Sequence, residues 1–224
     1  VREVGGRLVT KEDSVALSAA VSELLDCPEE RRRISGRARR LVAERFSFRH
    51  YIFDLLDYLG IGLERISVVV PNYNYGRYLP ERLASIIHQS YPLFEIIFLD
   101  DNSNDGSLDV AREILQSQPI DYRIVTNDEN TGSPFKQWKK GVELARGAFV
   151  WIAEADDVCD PNFIDTVLKG FRTPGVVFSY CDSRQIDENG YPLAENYQYY
   201  VRDVDERHWL SPFVADGDKE AAFS

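Results

Sequence analysis

From Ile66 to Ile186 short apolar runs alternate with segments of helical period, and this alternation constrains the fold more than any other feature of the chain. The runs are "ISVVVPNYN", "EIIFLDD", "YRIVTND", "AFVWIAEADD" and "GVVFSYCDSRQID", the last entering an Asn189-Gly190 turn. Between them lie "YLPERLASIIHQ", "SLDVAREILQ", "PFKQWKKGVELARG" and "DPNFIDTVLKGF". Leu79, Leu83, Ile86 and Ile87 fall on one helical face, and so do Phe135, Trp138, Val142 and Ala145. Asp160 and Pro161 read as the cap and first residue of another helix. Parallel strands need crossover connections, so strands alternating with helices predict an α/β fold with helices flanking a mostly parallel, Rossmann-like sheet.

Ligands of such sheets bind beyond the carboxyl ends of the strands. Three of the runs end there in polar clusters: Pro71-Asn72-Tyr73-Asn74, Asp100-Asp101-Asn102-Ser103 and Glu154-Ala155-Asp156-Asp157. A lone acidic pair after a strand usually caps a helix. Asp160 already fills that role here, which leaves Asp156 and Asp157 spare. Two acidic clusters on one sheet edge repel unless a cation lies between them. All-oxygen ligands favour Mg²⁺ or Mn²⁺. "DNSNDG" resembles the start of a calcium loop, but its last ligand position would be Arg112 and a strand precedes it, so that reading fails. Tyr73, between two asparagines, is placed to stack on a base.

The net charge of −11 argues against nucleic acid as a partner, because phosphate contacts need a basic surface. Three scattered cysteines without a CxxC pair fit a reducing, cytoplasmic compartment. No apolar stretch reaches the roughly 18 residues of a membrane span. The chain opens at Val1 and has no methionine, so it is expected to be a piece of a longer polypeptide.

The charge is uneven: residues 1–60 balance at +1 and the remainder carries −12. The shift coincides with "GIGLER", which divides the chain into a helical segment, 1–62, and an α/β domain, 63–224. In the first part three helices are expected. Leu17, Val21, Leu24 and Leu25 form one stripe, with Asp13 or Ser14 as cap. Ile34, Ala38, Leu41 and Val42 form the second, and Phe48, Ile52, Leu55, Leu56 and Leu59 the third. Arg31, Arg32, Arg33, Arg37, Arg39 and Arg40 could meet an anionic membrane surface; Glu29, Glu30 and Glu44 balance them as on an ordinary solvated face.

The stretches "SVVVPNYNYGRYLPERLASIIHQSYPLFEIIFLDDNSNDGS" and "NTGSPFKQWKKGVELARGAFVWIAEADD" resemble the nucleotide-binding half of a family 2 glycosyltransferase of GT-A fold, over about residues 66–190. The resemblance implies a nucleotide-sugar donor (UDP-, GDP- or dTDP-linked), a divalent metal and inversion at the anomeric carbon. It implies that Pro71 and Tyr73 line the base, that Asp101 hydrogen-bonds it, and that Asp156 faces the ribose or sugar. Asp157 would ligate the metal, with Glu154 or Asp156 sharing the task. Lys136 would meet the diphosphate. The acceptor would be a glycan or a lipid-linked sugar, in bacterial surface polysaccharide synthesis at the inner face of the membrane. Residues 1–62, by their helical pattern and the stretch "ERFSF", resemble the C-terminal end of a family 4 glycosyltransferase of GT-B fold, which implies that the parent is a tandem enzyme.

A metal on the donor diphosphate stabilises leaving-group charge as a Lewis acid. The acceptor hydroxyl needs a general base, usually a carboxylate in the later, acceptor half of this family. Asp216, Asp218 and Glu220 lie near the end, but "ADGDKE" reads as a solvated loop, and the base is expected beyond Ser224. Two rival readings are a non-catalytic nucleotide-binding fragment and a sugar nucleotidyltransferase. The second would need a Gly-rich basic loop after the first strand, where "PNYNYGRY" offers one Gly and one Arg. A dinucleotide oxidoreductase is excluded by the lack of GxGxxG.

Overall fold

The computed structural model describes residues 8–45 and 48–220. The chain divides into two compact units, one taking in residues up to Pro80 with Leu93–Asp157, the other Glu81–Pro92 with residues from Val158 onward.

The first unit opens with helices α1 (Ser14–Asp26), α2 (Pro28–Arg45) and α3 (Phe48–Tyr58). Asp13 caps α1, its carboxylate accepting from Ala16 N at 2.8 Å. The expected apolar stripe of α1 is not buried: Leu17, Val21 and Leu25 are exposed. In α2, Ile34 and Ala38 are half-buried, and Arg33 pairs with Glu30 as on a solvated face. The side chains of Arg40, Leu41, Val42, Glu44 and Phe48 lie outside the described ones, as do residues 46–47 of "ERFSF". α3 anchors through Phe53, which the stripe had not included. Phe53 is 3% exposed and meets Phe94 edge-on, with ring centroids 5.5 Å apart. Ile52, Leu55 and Leu56 are half-buried and Leu59 is exposed.

Four parallel strands follow: β1 (Ile66–Asn72), β2 (Glu95–Asp100), β3 (Tyr122–Thr126) and β4 (Phe149–Ile152). In chain order helices α4 (Leu79–Ile87), α5 (Ser107–Gln116) and α6 (Pro134–Leu144) alternate with them, α4 passing into the second unit at Glu81. The sheet order is β3-β2-β1-β4. The central strands β1 and β2 are buried along their whole length, which explains their unbroken apolar runs. Val69 pairs with Ile97 on one side and Ile152 on the other. Val69, Ile97 and Leu99 form a core on which Val125, Leu144, Ala145 and Ile152 pack. Of the four residues expected on one face of α4, Leu79, Leu83 and Ile86 are fully buried and Ile87 is half-buried.

Helix α6 departs from expectation. Phe135 and Val142 are exposed, and Gln137 and Gly141 turn inward. A Cβ on Gly141 would lie 2.3 Å from Val69 Cγ1. The missing side chain lets α6 approach β1 closely, and that contact sets the helix's rotation more than its apolar residues do.

At the amino ends of the strands sits a buried acid, Glu95. Its carboxylate accepts from Ser67 Oγ at 2.7 Å, Arg146 N at 2.8 Å, Arg146 Nε at 2.9 Å and Arg123 Nη2 at 3.1 Å. Burial pushes Glu95 up, but the hydrogen bonds from Arg146 and Ser67 outweigh it and hold the carboxyl below its ordinary pKa.

In the second unit, α7 spans only Phe163–Val167. Asp160 does not cap it directly. Its carboxylate accepts from Asn162 N and its carbonyl from Phe163 N, forming a turn that delays the helix. The strand expected over residues 175–187 shrinks to β5 (Gln185–Ile186), antiparallel to β6 (Pro192–Ala194) across the Asn189-Gly190 turn. Among the described residues no strand pairs with 176–184, and Val177 and Phe178 stay exposed. Short helices α8 (Gln198–Val201) and α9 (Gly217–Glu220) complete the described chain.

Candidate functional site

The strand order reverses between β1 and β4. Chain order runs outward from β1 through β2 to β3, and β4 then returns to the other side of β1. That switch point opens a crevice at the carboxyl ends, where the residues after β1 and β4 face each other. Ala153 N donates to Val69 O at 2.8 Å, which carries the pairing with β1 one residue past the end of β4.

Beyond β1 the loop is tied to the loop beyond β2. Asn72 Nδ2 donates to Asp100 Oδ1 at 2.9 Å and to Ser103 Oγ at 3.0 Å. Asn74 N donates to Ser103 Oγ at 3.0 Å, and Asn74 Oδ1 accepts from Asn104 N at 2.9 Å. Gly76 N donates to Asp105 Oδ2 at 2.8 Å. Burial pushes Asp105 up, but the hydrogen bonds from Ser107 and Gly76 hold it below the ordinary carboxylate range. Asn74 and Asn102 both take positive φ, 60° and 64°, which asparagine tolerates better than most residues. Gly106 turns at φ 84° into the start of α5. The lacing leaves Tyr73 and Tyr75 projecting, 45% and 38% exposed. Pro71, expected to line the base, is buried near the end of β1 opposite Leu99.

Asp101 is 5% exposed and faces the loop after β3. Its carboxylate accepts from Asn127 Nδ2 at 2.6 Å, Gln137 Nε2 at 2.8 Å, Thr131 Oγ1 at 2.8 Å and Thr131 N at 3.0 Å. These donors tie the carboxylate expected to hydrogen-bond the base to the loop between β3 and α6. Lys136 is exposed, and its Nζ donates to Thr131 O at 3.1 Å.

Beyond β4 the chain turns at once, with Asp157 N donating to Glu154 O at 3.3 Å. Alternation along this turn buries Ala153 and Ala155 and exposes Asp156 and Asp157. Glu154 is taken by Trp138, whose Nε1 donates to it at 2.5 Å. Across the crevice the Asp156 carboxylate raises the Tyr75 phenol above its ordinary pKa, burial adds to the shift, and the hydroxyl donates to Asp156. Among the described residues no three His, Cys, Asp or Glu side chains gather closely enough to hold an ion alone. The donor set still fits a hard divalent cation, which is commonly held by one or two carboxylates and completed by substrate phosphates. Sequence reasoning named Asn72 and Ser103 only as members of the polar clusters and Trp138 only on an apolar helix face, and it did not single out Tyr75, Thr131 or Gln137, because spacing does not say which side chains meet.

The model of the family described as "Glycosyl transferase family 2" matches residues 67–219, covering every strand and loop of this crevice. The chain belongs to glycosyl transferase family 2. Its relatives include glycosyltransferase GlyG of Streptococcus pneumoniae, 31% identical over 63% of this chain and 47% of its own. The putative teichuronic acid biosynthesis glycosyltransferase TuaG of Bacillus subtilis is 31% identical over 57% of this chain and 50% of its own. The chain thus spans half or less of the length of these relatives. Among solved structures, a Pyrobaculum calidifontis mannosyltransferase with GDP-Man and Mn²⁺ is 23% identical over 62% of this chain and 44% of its own, with a TM-score of 0.47. Staphylococcus aureus TarS 1-349 with UDP-GlcNAc is 26% identical over 47% and 30%, with a TM-score of 0.43.

Proposed function

We propose that the protein moves a sugar, with inversion, from a UDP-, GDP- or dTDP-linked donor to a glycan or lipid-linked acceptor in bacterial surface polysaccharide synthesis. The observation that supports this most is the exposed pair Asp156 and Asp157 at the switch point, across from Tyr75. In a family 2 enzyme that is where the donor diphosphate is expected, and two carboxylates alone would repel it. Mn²⁺ or Mg²⁺, held by Asp157 with Asp156, would resolve the conflict and supply Lewis-acid stabilisation of the leaving diphosphate. The chain's own residues do the rest. Tyr73 offers an exposed ring for the base, Lys136 a cation for the diphosphate, and Tyr75 fixes the Asp156 carboxylate.

The general base is not assigned. Asp216 and Asp218 are exposed, and Asp216 accepts from Asp218 N at 3.1 Å in the turn that starts α9, as a solvated loop would. Residues 1–62, in this proposal, are the C-terminal end of a family 4 domain preceding the α/β domain in a tandem enzyme. No helix among the described residues is long and apolar enough to cross a membrane. The proposed place of work is the cytoplasmic face, with α2 as the candidate peripheral contact. Incubation with a panel of radiolabelled nucleotide sugars, in Mn²⁺ and in EDTA, tests the proposal. Metal-dependent sugar transfer by a chain that includes these residues supports it, and transfer that ignores EDTA removes the metal from it.

A further inference from the structure

The chain that leaves Asp157 is neither helix nor strand from Val158 to Asn162, so no helical or sheet bonds hold it. Gln89, just past the end of α4, holds it instead. Its Nε2 donates to Asp160 O at 2.7 Å and to Cys159 Sγ at 3.4 Å, and its Oε1 accepts from Ile164 N at 3.1 Å. Nε2 also donates to Ser85 O at 3.0 Å, in the last turn of α4, where helical carbonyls lack partners within the helix. Cys159 Sγ donates to the same Ser85 O at 3.4 Å. Beside this cluster Ser90 N donates to Pro161 O at 2.8 Å, and Ser90 Oγ donates to the Asp165 carboxylate. All these groups belong to the second unit. The arrangement needs a side chain that donates and accepts at once. A glutamate of the same length could accept from Ile164 N but could not donate to the Asp160 carbonyl.

We propose that Gln89 is a positioning residue for the metal site: it clamps residues 159–164 to the end of α4 and thereby fixes the chain that carries Asp157. Covalent geometry makes the link. Asp157 stands two residues before Cys159, so their Cα atoms can separate by no more than about 7 Å. Anchoring Cys159 and Asp160 therefore limits how far the acid can swing. The turn on its other side is closed by the longer bond from Asp157 N to Glu154 O, at 3.3 Å. An ion held by one or two carboxylates depends on groups behind them to keep their orientation. Gln89 acts through the backbone and touches neither the ion nor the nucleotide. The binding readout of this clamp rests on the metal site proposed above.

The test compares Gln89→Met and Ser90→Ala with the parent, using UDP and GDP as probes by calorimetry in Mn²⁺ and in EDTA. Methionine keeps the length of the side chain and loses its bonds to Asp160 O and Ile164 N. Ser90→Ala removes the bond to Asp165, which belongs to the same interface but lies farther along the chain from Asp157. If Gln89 positions the acid, Gln89→Met weakens binding in Mn²⁺ by roughly tenfold and leaves binding in EDTA at its parent value. Ser90→Ala binds like the parent in both. A merely structural role would lower Tm and leave the Mn²⁺-dependent affinity of the folded chain intact. Parent-like affinity of Gln89→Met in Mn²⁺, or an equal loss in Ser90→Ala, overturns the clamp. If Gln89→Met does not fold, Gln89→Glu, which keeps the acceptor for Ile164 N, carries the same comparison. Hydrogen exchange at the Asp157 amide needs no ligand, and that amide bonds to Glu154 rather than to Gln89. It should quicken at least about threefold in Gln89→Met and stay unchanged in Ser90→Ala. Unchanged exchange in Gln89→Met overturns the clamp whatever the probes do. Quickened exchange, with a parent chain that binds neither probe, would sustain the clamp on the turn and sink the metal-site reading instead.

Discussion

Replacing Glu95 with Gln probes the largest electrostatic commitment in the sheet. The isostere keeps the volume and can still accept at Oε1 from Ser67 Oγ and Arg146 N. It loses the three guanidinium bonds at Oε2, from Arg146 Nε at 2.9 Å, Arg146 Nη2 at 2.8 Å and Arg123 Nη2 at 3.1 Å. Hydrogen bonds to charged groups contribute about 1.5–3 kcal/mol each, but they are not additive. Breaking a buried ion pair costs about 3–5 kcal/mol in all. Glu95 is 1% exposed while both arginines are 35% exposed, so water recovers part of what the arginines lose. The lower end, about 3 kcal/mol, is the expected loss. For a chain of 224 residues that lowers Tm by roughly 6–12 °C. The pH dependence has a definite sign. The folded pKa of Glu95 lies below its unfolded value, so its contribution is present above the unfolded pKa and is lost as pH falls through the folded one. Urea unfolding monitored by circular dichroism at neutral and at acid pH should show the parent losing part of its advantage over Glu95→Gln on the acid side. A neutral-pH loss under about 1 kcal/mol, or a difference independent of pH, would refute the reasoning.

Gly141→Ala should destabilise the domain by about 1–3 kcal/mol despite Ala's higher helix propensity, because the new methyl would meet fully buried Val69; a stabilised variant in thermal denaturation would contradict the close helix–strand approach. Asp156→Asn should bring the Tyr75 phenol down toward its ordinary pKa, since that carboxylate is the leading cause of its rise; an ultraviolet or NMR titration showing no change would separate the two residues. Asp13→Ala should cost about 1 kcal/mol through the lost bond to Ala16 N, read as faster exchange in the first turn of α1; equal exchange would show the cap to be idle.

The sheet was legible because its signal is strong. β1 and β2 are buried throughout, so their sequences are unbroken apolar runs, and α5 begins and ends where "SLDVAREILQ" does. Helix α6 was misread in its rotation because a glycine decided it: Gly141 packs by lacking a side chain, and hydrophobic spacing cannot register that. The strand over 175–187 was overread because an apolar run becomes a strand only by pairing, which lies outside the run itself. At the site, strand-end placement was readable and partnership was not. Asp101 and Asp156 look equivalent as acids after a strand. One is tied to Asn127, Thr131 and Gln137, residues 26 to 36 positions away, and the other faces Tyr75 from an exposed turn.

The central claim is that the exposed acids after β4 hold a divalent ion for a nucleotide diphosphate. Calorimetric titration of UDP and of GDP into the parent and into Asp157→Asn, each in Mn²⁺ and in EDTA, tests it most directly. The expected result is binding of at least one probe by the parent in Mn²⁺, weakened at least about tenfold by EDTA and to a similar extent by Asp157→Asn, with an unchanged circular dichroism spectrum. Equal affinity of parent and variant in Mn²⁺, or binding indifferent to EDTA, would contradict the claim and place the diphosphate elsewhere.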